Sequence, residues 1–337
     1  MGKLLVLDEQ TVHDLLTMPA CIVAMEEALS ALARGEVHQP LRNLIRGEGA
    51  QGILGMMPSY RGGANAAYGL KEVCVFPGNP ARGLDTHLGA VLLHSGETGE
   101  LLAVMNASAI TAIRTAAVSA VATKLLARDD AHTLAIIGAG VQAKSHLDAI
   151  PQVRDIREVR VFSRTRSKAE DVGRASARPL EAGRAEARPT FVVVDSVEEA
   201  VRGADIIVTA TSSREPIVKR EWIAPGTHIN AVGSSIAAAR ELDAATVAAS
   251  SLFVDRREST VNESGDYLMA LREGAISAAE HIRAELGEIL IGVARGRTSH
   301  DEITLFKSLG LAIEDLASAQ LLYDAAREKN RGTWVEF

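Results

Sequence analysis

The sequence predicts an α/β protein in which a doubly wound parallel-sheet domain is joined to an α+β domain with a mostly antiparallel sheet. Two observations lead to this prediction. From about residue 119 onward, short apolar runs alternate with helical patterns, as in a parallel sheet with crossover helices. Residues 40–105 instead contain apolar runs separated by Gly, Asn and Pro, which is typical of an antiparallel sheet.

The same patterns give the individual elements. Helical periodicity predicts helices over 11–35, 144–150, 196–202 and 311–329, and a solvated helix plus loop over 174–189. The predicted strands are 41–46, 53–57, 68–76, 89–94, 101–105, 133–137, 159–162, 191–194, 204–210, 228–232 and 252–254. We expect the last helix to pack back on the first domain. The predicted domains are therefore 1–118 with 312–337, and 119–311.

Composition excludes several classes of protein. Of the 337 residues, 47% are hydrophobic and 23% charged, and the net charge of −7 argues against nucleic-acid or anionic-membrane partners. Cys21 and Cys74 make neither a disulfide framework nor a metal-binding cluster. The start of the sequence lacks a signal-peptide pattern, and the apolar stretch 107–127 contains charges typical of a buried helix. We therefore expect a cytoplasmic protein without a bound metal.

A glycine turn lies between an apolar run and a helical pattern at residues 133–150. Gly138 and Gly140 permit a tight turn and close approach of a phosphate, and Ala143 stands where a third glycine often lies. Val141 and Gln142 offer backbone N–H groups at the start of the helix. This order of strand, turn and helix predicts a dinucleotide site.

The following strand indicates which dinucleotide is bound. An NAD-binding protein usually has an acidic residue about 20 residues after the glycine turn, where it contacts the ribose hydroxyl. Here the strand runs into Ser163, Arg164 and Thr165, with Arg166 as an accessory. An arginine suits a 2′-phosphate, so the sequence predicts NADP(H), with NAD(H) as the alternative. A solvated loop without function is the structural alternative for these residues.

Several motifs in order along the chain resemble the ornithine cyclodeaminase/mu-crystallin family. These motifs are Gln39-Pro40-Leu41-Arg42, Met57-Pro58-Ser59-Tyr60, Gly69-Leu70-Lys71, Ile110-Thr111-Ala112-Ile113-Arg114-Thr115-Ala116-Ala117, Gly138-Ala139-Gly140-Val141-Gln142, Ile229-Asn230-Ala231-Val232-Gly233, Arg240-Glu241-Leu242 and Lys307-Ser308-Leu309-Gly310. The resemblance implies a Rossmann domain, a homodimer joined through the first domain, and an active site between the two domains. It also implies hydride transfer between a nicotinamide and a carbon that bears nitrogen and a carboxylate.

The resemblance places the substrate carboxylate at Arg42, Lys71 and Arg114. The planar fork of an arginine matches two carboxylate oxygens, and three cations together attract an anionic imino or amino acid. Arg42 and Lys71 would otherwise be read as solvated strand residues. Arg114 differs, because it interrupts an apolar helix and a buried charge there needs a partner.

The resemblance also extends the cofactor site beyond the glycine turn. Thr115 matches a position that contacts the pyrophosphate. The nicotinamide end is expected at the ends of two later strands and beside the last motif. The residues assigned to it are Thr211, Ser212, Asn230, Val232, Ser308 and Gly310.

Two departures from the family pattern bear on the activity. The cyclodeaminases carry carboxylates at the positions of Gly55 and Ser235, and without them the expulsion of ammonia loses its acid/base groups. The mu-crystallin-like ketimine reductase branch resembles this chain at both positions. We therefore expect an NADPH-dependent reductase of Δ1-pyrroline-2-carboxylate or Δ1-piperideine-2-carboxylate, with Lys71 or His87 as the proton donor. An ornithine cyclodeaminase, an alanine-dehydrogenase-type enzyme and a non-catalytic ligand-binding protein are the alternatives.

Overall fold

The structure, a computed structural model, describes residues 3–176, 189–278 and 280–337. The expected solvated helix and loop at 174–189 fall mostly outside these residues. The helices are α1 (Glu9–Leu15), α2 (Met18–Ala33), α3 (Ala107–Leu126), α4 (Val141–Ala149), α5 (Arg166–Ser176), α6 (Val197–Val201), α7 (Ala244–Ala249), α8 (Arg257–Glu263), α9 (Gly265–Arg272), α10 (Leu286–Leu290) and α11 (Ala312–Glu328).

Two sheets contain the strands. The first half of the chain, with the C-terminus, supplies β1 (Lys3–Leu7), β2 (Val37–His38), β3 (Asn43–Ile45), β4 (Ile53–Arg61), β5 (Ala67–Val75), β6 (His87–Ser95), β7 (Leu101–Asn106) and β16 (Thr333–Glu336). The rest supplies β8 (Thr133–Ile137), β9 (Glu158–Phe162), β10 (Thr190–Val193), β11 (Ile206–Thr209), β12 (His228–Ala231), β13 (Ser251–Val254), β14 (Ile282–Glu285) and β15 (Thr304–Lys307).

The chain divides into two compact units, Met1–Arg114 with Gly310–Phe337, and Thr115–Leu309. Unit 1 contains a mixed sheet in the order β16-β1-β7-β6-β5-β4-β2, with β3 also paired to β4. All neighbours except β1 and β7 are antiparallel. Helix α11 packs on β4, β5 and β6 and on α2. The predicted mostly antiparallel sheet is therefore confirmed.

Unit 2 contains an entirely parallel sheet in the order β10-β9-β8-β11-β12-β15-β13-β14. Because successive strand residues face opposite sides, Leu134 and Ile136 belong to the core that contains residues of α4 and α5, whereas Ala135 and Ile137 belong to the core that contains residues of α6, α7 and α9. Helices on both faces make this the predicted doubly wound fold. The strand order reverses between β8 and β11, where ligands bind in such sheets.

The prediction of one helix over 11–35 is wrong. Two helices, α1 and α2, occupy this stretch and are bent by 84° at their break. Pro19 lies in the first turn of α2, where its missing N–H costs nothing. Inside a continuous helix, the same ring would clash with the carbonyl four residues earlier, so the chain starts a new helix.

Helix α3 is the one element of the described chain that alone has the length and apolarity needed to cross a membrane; the bent pair α1 and α2 would qualify only if taken as a single span. In its most apolar window, 83% of the residues are buried inside the protein. That burial is typical of a helix in a protein core, as the charges of this stretch had indicated.

Candidate active site

In unit 1, all three predicted carboxylate-binding residues lie in one cluster with two acids. Lys71 is on β5 and only 4% exposed, so the alternative of a solvent-facing lysine is wrong. Its Nζ lies 3.3 Å from Asp315 Oδ1. Arg114, equally buried, donates from Nε to the same Asp315 oxygen at 3.1 Å and from Nη1 to Glu314 Oε2 at 2.7 Å. The partner that a buried Arg114 needed is therefore this acidic pair.

Gly310 and Arg42 complete this cation cluster. Gly310 has a φ of +79°, and a Cβ added there would lie 2.5 Å from Arg114 Nη1. The glycine thus allows the guanidinium to pass beside the backbone. Half-buried Arg42 donates from Nη2 to the Gly310 carbonyl at 3.4 Å. Gly310, assigned to the cofactor from sequence, is therefore placed by the structure against the two arginines.

Burial and charge shift the pKa of the two candidate proton donors. Loss of water lowers the pKa of Lys71 to about 8; Asp315 opposes this shift, while Arg114 and Arg42 add to it. His87, at the start of β6, has a lowered pKa because of partial desolvation and the nearby Lys71 charge. Lys71 is therefore still mostly protonated at neutral pH but close to its titration range, whereas His87 is neutral.

In unit 2, the glycine turn follows β8 at the point where the sheet order reverses. Gly138 has a φ of +123°, and a Cβ there would meet the Ala210 carbonyl oxygen at 2.4 Å. Gly140 is the N-cap of α4, and a Cβ added to it would meet nothing within 4 Å. The first glycine allows close backbone packing, while the second leaves open space over a helix N-terminus. This arrangement fits a pyrophosphate, with the N–H groups of Val141 and Gln142 at the helix start.

The remaining predicted cofactor residues of unit 2 mostly follow neighbouring strands at the same edge. The loop 163–165 follows β9, Thr211 and Ser212 follow β11, Val232 follows β12, and Ser308 follows β15. Because the strands are parallel, their carboxyl ends meet at one edge in the order of the sheet. The structure therefore brings these loops into one row, with the glycine turn between the first two.

Three other predicted residues differ from the residues of that row in their position or in their contacts. The Asn230 side chain is fully buried and donates to Thr123 Oγ1 at 3.0 Å, so the structure does not bring it to the sheet edge. Thr115 is buried within α3. Arg166 forms an ion pair with Asp195, whereas the Arg164 side chain is exposed in the loop. Of the two arginines, Arg164 is therefore the better candidate to contact the 2′-phosphate of NADP(H).

Sequence reasoning missed a buried carboxylate that holds this edge together. Glu241 is 0% exposed and accepts hydrogen bonds from Thr211 N and Oγ1, from Thr209 Oγ1 and from Gly233 N, each at 2.7 or 2.8 Å. It thereby ties the ends of β11 and β12. The motif Arg240-Glu241-Leu242 was visible in the sequence, but nothing there indicated where the carboxylate points. Among the described residues, no cluster of His, Cys, Asp and Glu could hold a metal ion.

The sequence and the fold of this chain are similar to those of known proteins. The chain is 40% identical over 324 residues to the ketimine reductase mu-crystallin of Mus musculus, covering 95% of this chain and 96% of that protein. It is similar to the solved structure of Thermococcus litoralis Δ1-pyrroline-2-carboxylate reductase in complex with NADH and L-proline, with a TM-score of 0.92, 42% identity and coverage of 98% of this chain and 100% of that one.

A solved archaeal alanine dehydrogenase dimer with bound NAD gives a TM-score of 0.91 at 36% identity, with 99% of each chain covered. A family model described as the ornithine cyclodeaminase/mu-crystallin family matches residues 3–330. The family expected from the sequence motifs is thus confirmed. This chain belongs to the ornithine cyclodeaminase/mu-crystallin family.

Proposed function

We propose that this protein is an NAD(P)H-dependent reductase that converts Δ1-pyrroline-2-carboxylate or Δ1-piperideine-2-carboxylate into L-proline or L-pipecolate. The observation that carries the proposal is the buried cation cluster of unit 1, in a chain whose relatives include reductases of such imines. Burying a lysine and an arginine is costly, and buried charges with a shifted pKa are concentrated at ligand-binding and catalytic sites.

The cluster fixes the substrate through its carboxylate. Glu314 and Asp315 occupy the Nη1 and Nε sides of Arg114, and they hold the guanidinium and the Lys71 ammonium in one place. A preorganised pair of donors gives up little side-chain entropy when a carboxylate arrives. Arg42 adds a third cation beside the Gly310 carbonyl.

The edge of the unit 2 sheet fits a dinucleotide. Gly138, Gly140 and the first N–H groups of α4 would hold the pyrophosphate, and Arg164 with Ser163 and Thr165 would hold a 2′-phosphate. Bound there, NADPH would supply the electron pair that reduces the C=N carbon. We infer a preference for NADPH from Arg164, although two solved relatives bind NADH and NAD.

Reduction of an imine also requires a proton on nitrogen. Lys71, with its pKa near 8, holds a proton at neutral pH and can release it without a large energetic cost. His87, whose pKa is lowered, is mostly a neutral imidazole under the same conditions, so little imidazolium is present to donate a proton. We therefore assign the donor role to Lys71.

The cyclodeaminase alternative is disfavoured by the two missing carboxylates. Gly55 lies on the face of β4 that also carries Met57, which is paired with Lys71, so an acid there would face the cation cluster. Neither Gly55 nor Ser235 can accept a proton from a substrate amine. The chain is thus suited to an imine that arrives preformed.

Turnover assays separate these functions. NADPH absorbance should fall when either cyclic imine is added, and chiral analysis should find the L-amino acid. Ammonia release from ornithine without net NADPH oxidation would instead identify a cyclodeaminase. Faster oxidation with pyruvate and ammonia would identify an alanine-dehydrogenase-type enzyme, and tight NADPH binding without any turnover would identify a binding protein.

We also propose that the protein is a cytoplasmic homodimer. The face of the unit 1 sheet away from α11 carries apolar side chains, with the Tyr60 and Tyr68 rings 4.6 Å apart and Tyr68 49% exposed. An exposed apolar sheet face of this kind suits a second copy of the chain. Light scattering should give twice the chain mass, and Tyr68→Glu should lower it; a monomer in both cases would contradict the dimer.

A further inference from the structure

The two acids of the cation cluster, Glu314 and Asp315, are not accounted for by the binding of a substrate carboxylate. Glu314 and Asp315 lie in the first turn of α11, with Leu311 as its N-cap. Acidic residues at this position are favoured by the helix dipole, which offers the simple structural reason for them. Most first-turn acids, however, are exposed, whereas the side chains of these two are each 1% exposed.

Their burial places both acids against the cations of the cluster. Neither side chain reaches bulk water, and each contacts a cation: Glu314 contacts Arg114, and Asp315 contacts both Arg114 and Lys71. These contacts are buried ion pairs. Their charges are little screened by salt and act on any ligand of the cluster at short range.

The two acids give the cluster its selectivity. Glu314 contacts Arg114, and Asp315 contacts both Arg114 and Lys71, so negative charge already lies beside these cations. A ligand with one carboxylate adds one negative charge beside the acids, whereas a second carboxylate would add another inside a poorly solvated space.

We propose that Glu314 and Asp315 are specificity-determining residues that restrict the cation cluster to substrates with one carboxylate. The proposal rests on the proposed function only in that the cluster holds the substrate's carboxylate. The two acids are not assigned a contact with the reacting atoms. They act by offsetting the positive charge that Arg114 and Lys71 present to the ligand. At a separation of roughly 8 Å and an effective dielectric of about 20, one unit charge changes binding by about tenfold or more.

Two planar ligands of the same ring test this proposal without turnover. Pyrrole-2-carboxylate and pyrrole-2,5-dicarboxylate differ by one carboxylate, and neither ring nitrogen titrates near neutral pH. Calorimetry should find that the wild-type protein binds the monocarboxylate more tightly. In Glu314→Gln and, separately, in Asp315→Asn, the ratio of the two dissociation constants should shift toward the dicarboxylate by about tenfold. Both replacements keep the shape of the side chain, and thermal unfolding of each variant checks that it folds.

A matched control lies on the same helix. Asp324 is exposed near the end of α11, and Asp324→Asn removes the same charge far from the cluster, so its ratio should equal that of the wild type. Loss of cluster geometry alone would weaken both ligands equally and leave the ratio unchanged. An unchanged ratio in both acid variants would overturn the proposal, as would a wild-type protein that binds the dicarboxylate at least as tightly or binds neither ligand.

Turnover of Δ1-pyrroline-2-carboxylate, measured on the same wild-type preparation, keeps the two proposals apart. A shifted ratio without any turnover would support the charge selectivity and contradict the proposed reductase. Turnover with an unshifted ratio would support the proposed reductase and contradict the charge selectivity.

Discussion

At the residue scale, the proposed reaction depends on cationic side chains that differ in their burial and in their acidic neighbours. Lys71 and Arg114 are cations kept in a buried site by Asp315 and Glu314, and Arg164 is a cation exposed on a loop. The sequence could nominate all three cations, because their motifs and positions between apolar runs were visible. It could not reveal the acidic partners, because acids in the first turn of a helix are ordinary there and only tertiary packing buries them.

The cofactor preference should depend on Arg164. Arg164→Asp replaces a donor for the 2′-phosphate by a carboxylate that repels it. The dissociation constant for NADPH should rise by about ten- to a hundredfold, since a hydrogen bond to a charged group contributes about 1.5–3 kcal/mol. Affinity for NADH should be unchanged or improved, as fluorescence titration with both nucleotides would show.

Arg157→Asp provides the control for that change. Arg157 precedes the opposite end of β9 and pairs with Asp155 at the surface, so the same charge reversal there should spare both nucleotides. If Arg164→Asp left the preference for NADPH over NADH unaltered, the 163–165 loop would not bind the 2′-phosphate.

The pH dependence of ligand binding should follow Lys71. Its pKa of about 8 means that the ammonium loses its proton as the pH rises through this value, and the cluster then loses one positive charge. The inhibition constant of pyrrole-2-carboxylate should be flat below pH 8 and should increase above it by up to tenfold per pH unit. In Lys71→Arg, which stays protonated, that inflection should disappear. An equal inflection in both proteins would assign the titration to another group.

At the element scale, the glycine turn and α4 form the proposed dinucleotide-binding edge of unit 2. Most of the elements of this sheet were predictable, because their apolar runs are short and bounded by Gly or polar residues. Strand β15 was not predicted: it has only four residues and ends in Lys307, yet it lies between β12 and β13. Its burial comes from neighbours far away in the sequence, and Lys307 is compensated there by Asp266 at 3.0 Å.

Two neighbouring glycines of the turn should respond differently to the same replacement. Gly138→Ala forces an alanine into a φ of +123° with its Cβ 2.4 Å from the Ala210 carbonyl oxygen. Strain of this kind costs about 1–3 kcal/mol, so the melting temperature should fall even without cofactor. Gly140→Ala meets nothing within 4 Å and should melt like the wild type, yet bind NADPH more weakly because the methyl group enters the pyrophosphate space. Normal NADPH affinity in Gly140→Ala would remove α4 from the site.

At the scale of the whole molecule, the proposed carboxylate site and the proposed dinucleotide site belong to different units. Unit 1 contains the cation cluster, and unit 2 contains the dinucleotide edge. The net charge of −7 disfavours anions in general, so we propose that selection of an anionic imine rests on the local cluster. The motifs predicted both the carboxylate-binding cations and the dinucleotide site from the sequence alone. The predicted domain limits, 1–118 with 312–337 and 119–311, remain a prediction beside the compact units, which divide after Arg114 and after Leu309.

Transfer of a labelled hydrogen tests the proposed reaction most directly. With NADPH that carries deuterium on the transferred position of C4, reduction of Δ1-pyrroline-2-carboxylate should give L-proline with one deuterium on its α-carbon, detected by mass spectrometry and NMR. L-proline without deuterium at that carbon, or no proline at all, would contradict reduction of the C=N bond by this protein.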